Sequence, residues 1–155
     1  MRLIKLAILS FIFLFLIITA ISLLIPSHIR ISKAINIAPP KDSIFALIKD
    51  AKSWPQWHPA FMPTDSFRKI PQIQIIPVTT NDSELVFQLK QQDKRPVLNG
   101  WKIYEHASTD SLTLQWYMDF HLKWYPWQKF GSLIYENTYG VMMEQGLGNL
   151  KKAVQ

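Results

Sequence analysis

The stretch "GVMMEQGLGNLKK", Gly140 to Lys152, lies near the end of a 155-residue chain and holds three of its five glycines. It has the periodicity of an amphipathic helix, although each interior glycine costs a helix about 1 kcal/mol relative to alanine. Its apolar residues recur on one side of that helix, at Tyr139, Met143, Leu147, Leu150 and Val154. We therefore predict a terminal helix packed on a core. Gly146, near this stripe, either permits close approach to that core or leaves room for a ligand.

A second apolar stripe precedes this helix. After Pro126, the residues on nearly the opposite side are Trp127, Phe130, Ile134 and Val141. One straight helix cannot bury both stripes against a single sheet. We therefore expect a break or sharp kink near Gly140, with a short first segment followed by a helix that lies across the sheet.

The segment before these helices alternates with a period of two, which is typical of a strand. From Ser111 to Trp124 the even positions are apolar and the odd positions are largely polar, which predicts one buried and one solvated face. If residues 107–110 form a turn, the strand Val97–His106 pairs with it. That register places Trp101 opposite Trp116, Ile103 opposite Leu114, and Val97 opposite Phe120.

The first half of the chain supplies the remaining elements. Alternating isoleucines from Ile29 to Ile37 predict a first strand, which Pro39 and Pro40 end. Two short helices follow in "KDSIFALIKD" and "KSWPQWHPAFMP", the second capped by Ser53. Residues 66–72 are either loop or a weak strand. Two further strands are predicted at 73–79 and 85–90, around the turn signal "NDS".

The N-terminus carries a long apolar run. From Leu6 to Ile25 there is no charged residue, which is enough to cross roughly 30 Å of hydrocarbon. We predict a transmembrane anchor over 1–26 and a second domain over 27–155. Arg2 and Lys5 precede the run and favour a cytoplasmic N-terminus, which places the domain on the extracytoplasmic side. The alternative is a cleaved signal peptide, with Ala20 and Ser22 as small residues before the cut.

Composition limits the possible functions. The net charge of +6 falls to +4 without Arg2 and Lys5, and no basic run suggests nucleic-acid binding. The excess charge either favours an anionic lipid surface or is simply solvated. The chain has no cysteine, which excludes disulfides and thiolate sites. It also lacks the glycine-rich phosphate motifs and the "GxSxG" of common hydrolases.

Three stretches carry a family resemblance. "INIAPPKDSIFALIKDAKSWPQWHP", "LNGWKIYE" and "LKWYPWQKFGSLIYENTYGVMMEQGLGNLKKA" resemble the START-like (SRPBCC) superfamily, especially its polyketide cyclase/dehydrase-type members. The resemblance implies an α+β helix-grip fold, in which a curved antiparallel sheet wraps around the long C-terminal helix. Here that domain would follow the N-terminal transmembrane helix. The resemblance also implies a hydrophobic cavity between sheet and helix.

Candidate ligand-binding residues follow from the inward faces. The large apolar side chains that either line this cavity, as the resemblance implies, or fill a solid core are Trp54, Trp57, Trp101, Trp116, Met118, Tyr139 and Met142. Polar groups expected to face inward are Lys33, Asn99, Glu105 and Glu136. These either orient a ligand's polar head, lie at the rim, or pair with one another, as Lys33 with a glutamate.

Asp119 and His121, two apart on one strand, could form an acid/base pair or, with His106, a metal site. They lie on the face opposite the apolar row, so we expect them to face water. We therefore assign no catalytic residue, metal or cofactor.

The leading hypothesis is a membrane-anchored START-like domain that binds a hydrophobic small molecule or lipid, with no nucleic-acid partner. One alternative is a cyclase- or dehydratase-type enzyme in which Glu105, Glu136 and Asn99 polarise a polyketone. Another is a membrane-tethered protein interaction module with a vestigial cavity.

Overall fold

The computed structural model describes residues 2–38, 40–62, 73–92, 94–105 and 111–154. Within these ranges a helix α1 (Arg2–Ser22) precedes a five-stranded antiparallel sheet, with strand order β1-β5-β4-β3-β2. The strands are β1 (His28–Ile37), β2 (Ile73–Thr80), β3 (Glu84–Gln91), β4 (Val97–Glu105) and β5 (Leu112–His121). The other helices are α2 (Lys41–Lys49), α3 (Trp54–Trp57), α4 (Pro126–Gly131) and α5 (Val141–Val154).

The register of the central hairpin is the one that the alternating pattern predicts. Trp101 pairs with Trp116, and Ile103 pairs with Leu114. The first strand joins β5 at the edge of the sheet, where Ile31 pairs with Met118. The predicted turn at 107–110, His106, and the segment 66–72 lie outside the described residues.

The core lies between the concave face of the sheet and the helices α2, α3 and α5. Buried residues come from every one of these elements, including Ile31, Ile48, Trp57, Leu85, Trp101, Trp116 and Leu147. Gly146 faces the indole of Trp116, so its missing side chain serves close approach and not a ligand. Ser53 does not cap α3 with its side chain, because its hydroxyl donates to the backbone oxygens of Leu47 and Asp50.

The predicted break at Gly140 is present. A 3-10 turn (Ser132–Ile134) and a π-helical turn (Glu136–Gly140) separate α4 from α5. The break does not bury both stripes, however. The residues Met143, Leu147 and Leu150 are buried, whereas those of the second stripe, Trp127, Phe130, Ile134 and Val141, are exposed.

The N-terminal helix α1 has 21 residues and a mean hydropathy of 2.7, and its side chains lie almost entirely outside the fold. It is long and apolar enough to cross a membrane, a test that a signal sequence also passes. The linker that follows α1 is held to the domain by Lys129 of α4. The ammonium of this buried lysine donates to the backbone oxygen of Ile25 at 2.6 Å and to Ser27 Oγ at 2.7 Å.

Candidate functional site

A small apolar cavity lies between the concave face of the sheet and the start of α5. Its volume is about 160 Å³. Apolar and aromatic side chains form most of its wall, namely Phe61, Ile73, Leu89, Val97, Met118, Phe120, Tyr139 and Met142. The polar residues at its border are His58, Gln91, Lys94 and Arg95. The cavity therefore offers an apolar interior with a few polar groups, the usual composition of a small-molecule site.

A wider cleft of about 290 Å³ adjoins this cavity. The two share a wall formed by Lys94, Arg95, Val97, Phe120 and Tyr139. The cleft adds Pro96, His121, Leu122, Lys123, Gln128 and Tyr135. The exposed Lys94, Arg95 and Lys123 thus bring basic side chains to its rim, while Phe120, Tyr135 and Tyr139 supply aromatic rings.

The π-helical turn before α5 positions the aromatic floor. Tyr135 and Tyr139 lie one turn apart, and both contact the ring of Phe120, with centroid distances of 4.9 and 4.7 Å. Phe120 is the last buried residue in the inward row of β5, so the sheet and the broken helix meet here. Burial raises the pKa of Tyr139, which keeps its phenol protonated.

His58 is the polar group set deepest in the cavity wall. Its Nδ1 accepts a hydrogen bond from the backbone N–H of Ala60 at 3.2 Å. Burial lowers the pKa of His58 to about 3, so the ring is neutral and its proton is on Nε2. Nε2 is buried, and no group among the described residues accepts its hydrogen bond. A buried donor of this kind favours a ligand or water that supplies an acceptor.

Three of the predicted ligand-binding residues, Met118, Tyr139 and Met142, line the cavity. The four predicted tryptophans, Trp54, Trp57, Trp101 and Trp116, are fully buried and do not border it. They pack on one another instead; Trp101 stacks on Trp116 at 5.4 Å between centroids, and Trp57 meets Trp101 edge-on at 6.1 Å. They fill the space behind the cavity.

The predicted polar residues do not converge. Asn99 is buried behind the cavity, where its Oδ1 accepts a hydrogen bond from Trp116 Nε1. Glu105 is exposed and pairs with Lys41 at 2.7 Å. Glu136 is also exposed and pairs with Lys33 at 2.8 Å; the same ammonium contacts Glu144 at 2.8 Å. The pairing of Lys33 with a glutamate is therefore the alternative that the structure supports.

The expectation that Asp119 faces water is wrong. Its carboxylate is buried on the outer face of the sheet, where Arg30 donates from Nε at 2.7 Å and from Nη2 at 2.6 Å. This pairing lowers the pKa of Asp119. His121 is exposed and stacks on His28 at 4.6 Å between centroids. No group of three possible metal ligands occurs among the described residues, and His106 lies outside them.

Several cavity residues were not singled out from the sequence. Phe120 continues the inward row that contains Trp116 and Met118, so its alternation could have identified it. Lys94 and Arg95 precede β4 in a segment without periodicity, and only the folded chain places them beside Tyr139. His58 packs against Phe61 and Trp116 and accepts a hydrogen bond at Nδ1, but its other nitrogen has no partner in the described part of the chain.

Comparison with known proteins identifies the fold. No protein-family model and no curated protein matches the sequence. Among solved structures, a START superfamily protein from Mycobacterium smegmatis is 17% identical, with a TM-score of 0.57 over 82% of this chain and 97% of that one. An uncharacterised protein from Bacillus thuringiensis is 14% identical, with a TM-score of 0.57 over 81% of this chain and 98% of that one.

A further structural neighbour is the di-domain ARO/CYC protein StfQ from the steffimycin biosynthetic pathway. It is 12% identical, with a TM-score of 0.61 over 83% of this chain and 51% of StfQ. This chain therefore spans about half the length of that protein. Together these likenesses confirm the predicted α+β helix-grip fold.

Proposed function

We propose that this chain is a membrane-anchored START-like domain that binds a hydrophobic small molecule or lipid between its sheet and its C-terminal helix. The observation that carries the proposal is the apolar cavity at the start of α5, which adjoins a cleft lined by Lys94, Arg95 and Lys123. The structural neighbours support a ligand-binding domain of this fold class.

The dimensions favour a ligand with a narrow apolar end. A dry apolar cavity of about 150 Å³ accommodates a single small ring, whereas drug-sized ligands occupy roughly 300 to 1,000 Å³. The inner cavity, at about 160 Å³, is at the low end of this scale, and the adjoining cleft provides a further 290 Å³. Met118 and Met142 line the inner cavity, and their flexible side chains let it adjust to its occupant.

The polar groups favour an amphiphile. Inside, the neutral ring of His58 lines the cavity, and its buried Nε2 has no hydrogen-bond partner among the described residues. At the mouth, Lys94, Arg95 and Lys123 provide positive charge that suits an anionic head. We therefore infer that the apolar part of the ligand enters beneath α5 and its polar head remains in the cleft.

The anchor would keep this site close to apolar ligands in the bilayer. α1 is long and apolar enough to span it, and we place the domain on the extracytoplasmic side because Arg2 and Lys5 precede the helix.

The chain lacks cysteine, so Lys152→Cys introduces one exposed thiol. We expect a membrane-impermeant maleimide to label this thiol in intact cells. Labelling only after lysis would contradict the orientation, and an intact mass lacking residues 1–22 would show a cleaved signal peptide.

Ligand binding is tested by extracting the purified full chain and analysing the extract by mass spectrometry. We expect a bound apolar species in the wild type and its loss in Met142→Trp, which fills the cavity. The matched control is Gln145→Trp, on the exposed side of the same helix. An empty wild type, together with no thermal shift by lipids, would contradict the proposal. Equal ligand content in both variants would show that the ligand lies elsewhere.

A further inference from the structure

An exposed apolar surface lies on α4 and the turns beside it. Its members, here called the aromatic face, are Trp124, Trp127, Phe130, Leu133 and Ile134, with exposed fractions of 57, 64, 37, 64 and 61%. Contiguous exposure of this kind is uncommon on a soluble surface and marks an interaction site. Beside it, Tyr125 stacks on Trp127 at 4.9 Å between centroids.

The aromatic face is fixed beside the end of α1. Lys129, on the buried side of α4, donates to Ile25 O and Ser27 Oγ at 2.6 and 2.7 Å. The backbone N–H of Leu122 donates to Ser27 O at 2.7 Å, which ties the end of β5 to the same linker. On the linker itself Leu23 and Leu24 are exposed. Leu23 and Leu24 thus extend the exposed apolar surface of α1 along the linker that Lys129 holds against α4.

We propose that the aromatic face lies in the interfacial layer of the same bilayer that α1 spans. This inference depends on the membrane anchoring proposed above. Tryptophan is enriched at this depth because its ring is apolar while its N–H remains solvated. Lys123 borders the aromatic face and carries a charge suited to anionic headgroups. The domain thus rests on the membrane surface instead of moving freely on a tether.

This placement sets the direction of the ligand-binding cleft. Lys123, Gln128 and Tyr135 belong to the segment that carries the aromatic face, and all three line the cleft. With the aromatic face in the bilayer, the mouth of the cleft opens at the headgroup layer. An amphiphile could then enter the cavity directly from the membrane, with its head beside Lys94 and Arg95.

The distribution of tryptophans provides a direct test. The chain has six; four are fully buried in the core, and Trp124 and Trp127 are exposed. The full chain is reconstituted in vesicles of phosphatidylcholine and phosphatidylglycerol with bromine on the acyl chains. We expect bromine to quench up to about a third of the emission, the share of two tryptophans in six. Trp124→Phe/Trp127→Phe should lose this quenching, and aqueous acrylamide should quench the wild type little.

Flotation of the same vesicles in alkaline carbonate reports whether the chain is anchored in the membrane. The quenching experiment reports where the aromatic face lies, so the two proposals are tested separately. If the protein floats with the vesicles but its emission is quenched by acrylamide and not by bromine, the placement of the aromatic face is wrong and the anchor still holds. Protection from both quenchers would also overturn it, because another protein surface would then cover the face. Protein that fails to float would overturn both, whereas ligand binding is tested separately by Met142→Trp.

Discussion

Gly146 of α5 lies directly against the indole of Trp116 in β5. A methyl carbon at position 146 would come 2.5 Å from Cζ3 of Trp116 and 3.1 Å from Cδ of Pro59. Trp116 is fully buried and stacks on Trp101, so it has no free space into which to retreat. The absence of a side chain at position 146 therefore determines how closely the terminal helix approaches the sheet.

The two glycines of α5 should respond oppositely to alanine. Gly146→Ala should destabilise the domain by about 1 to 2 kcal/mol, because overpacking against Trp116 outweighs the gain in helix propensity. Gly148→Ala is the matched control, with no heavy atom within 4 Å of the added carbon. It should stabilise by roughly 0.5 to 1 kcal/mol. Urea unfolding in a mild non-ionic detergent measures both, and equal effects would contradict the packing.

Stability should depend on His58 in mild acid. Its pKa is about 3 in the folded chain and 6.5 when unfolded, because burial disfavours the charged ring. The unfolded state therefore binds a proton first, and stability falls as pH drops below about 6.5. Between pH 7 and pH 5 the expected loss is about 2 kcal/mol. Urea unfolding across this range should show a flatter profile for His58→Phe. Parallel profiles would contradict the burial of His58.

Asp119 affects the free energy of unfolding at a lower pH than His58 does. Its pKa lies below the usual 3.8 because of Arg30, so its contribution is present above that value and lost as pH falls further. The unfolding free energy of Asp119→Asn should consequently depend less on pH than that of the wild type below pH 4. If the pH dependence of Asp119→Asn already differs from that of the wild type between pH 7 and pH 5, the loss of stability in mild acid comes from Asp119 and not from His58.

Lys129 should hold the end of α1 against the domain. Replacing it with methionine removes a charged donor from Ile25 O and Ser27 Oγ, which costs about 2 kcal/mol locally. We expect thermolysin to cleave residues 23–27 about 30-fold faster in Lys129→Met, the factor to which 2 kcal/mol corresponds at roughly 1.4 kcal/mol per tenfold. Lys152→Met, at an exposed position of α5, is the control. Wild-type cleavage rates in Lys129→Met would show that this contact does not order the linker.

Tyr117 covers a glycine on the outer face of the sheet. Its ring lies over Gly100, its hydroxyl donates to Glu84 Oε1 at 2.9 Å, and the Arg30 guanidinium sits 4.5 Å from its centroid. Tyr117→Phe should lose only the hydrogen bond, which lowers the free energy of unfolding by about 1 kcal/mol. Tyr117→Ala also uncovers the sheet and should lower it by roughly 2 kcal/mol or more. Thermal unfolding of both measures the difference. Equal losses would contradict the covering role of the ring.

The sequence predicts the elements whose signal is local. The two-residue period of β4 and β5 predicts the register that pairs Trp101 with Trp116. Two apolar stripes on nearly opposite sides of one helix predict the break near Gly140. The burial of Asp119 has no local signal, because its partner Arg30 is 89 residues away and depends on the pairing of β1 with β5. The alternation within β5 alone predicts that this carboxylate faces water.

The cavity was only partly predictable for the same reason. Alternation indicates which side chains face inward, but not whether they fill the core or border a space. The four tryptophans fill it, while Met118 at the next inward position of β5 borders the cavity. The remaining wall comes from Lys94, Arg95 and Tyr139, which are brought together only when α5 crosses the sheet.

The most direct test of ligand binding beneath α5 is photo-crosslinking of the full chain in membranes with a diazirine-bearing fatty acid, followed by peptide mapping. We predict adducts on Met142, Tyr139 and Phe61, which line the cavity, with competition by unlabelled lipid extract. Met142→Trp should reduce the adducts on Tyr139 and Phe61, and Gln145→Trp should not. Adducts confined to α1 and the aromatic face, with none on the cavity wall, would contradict the account.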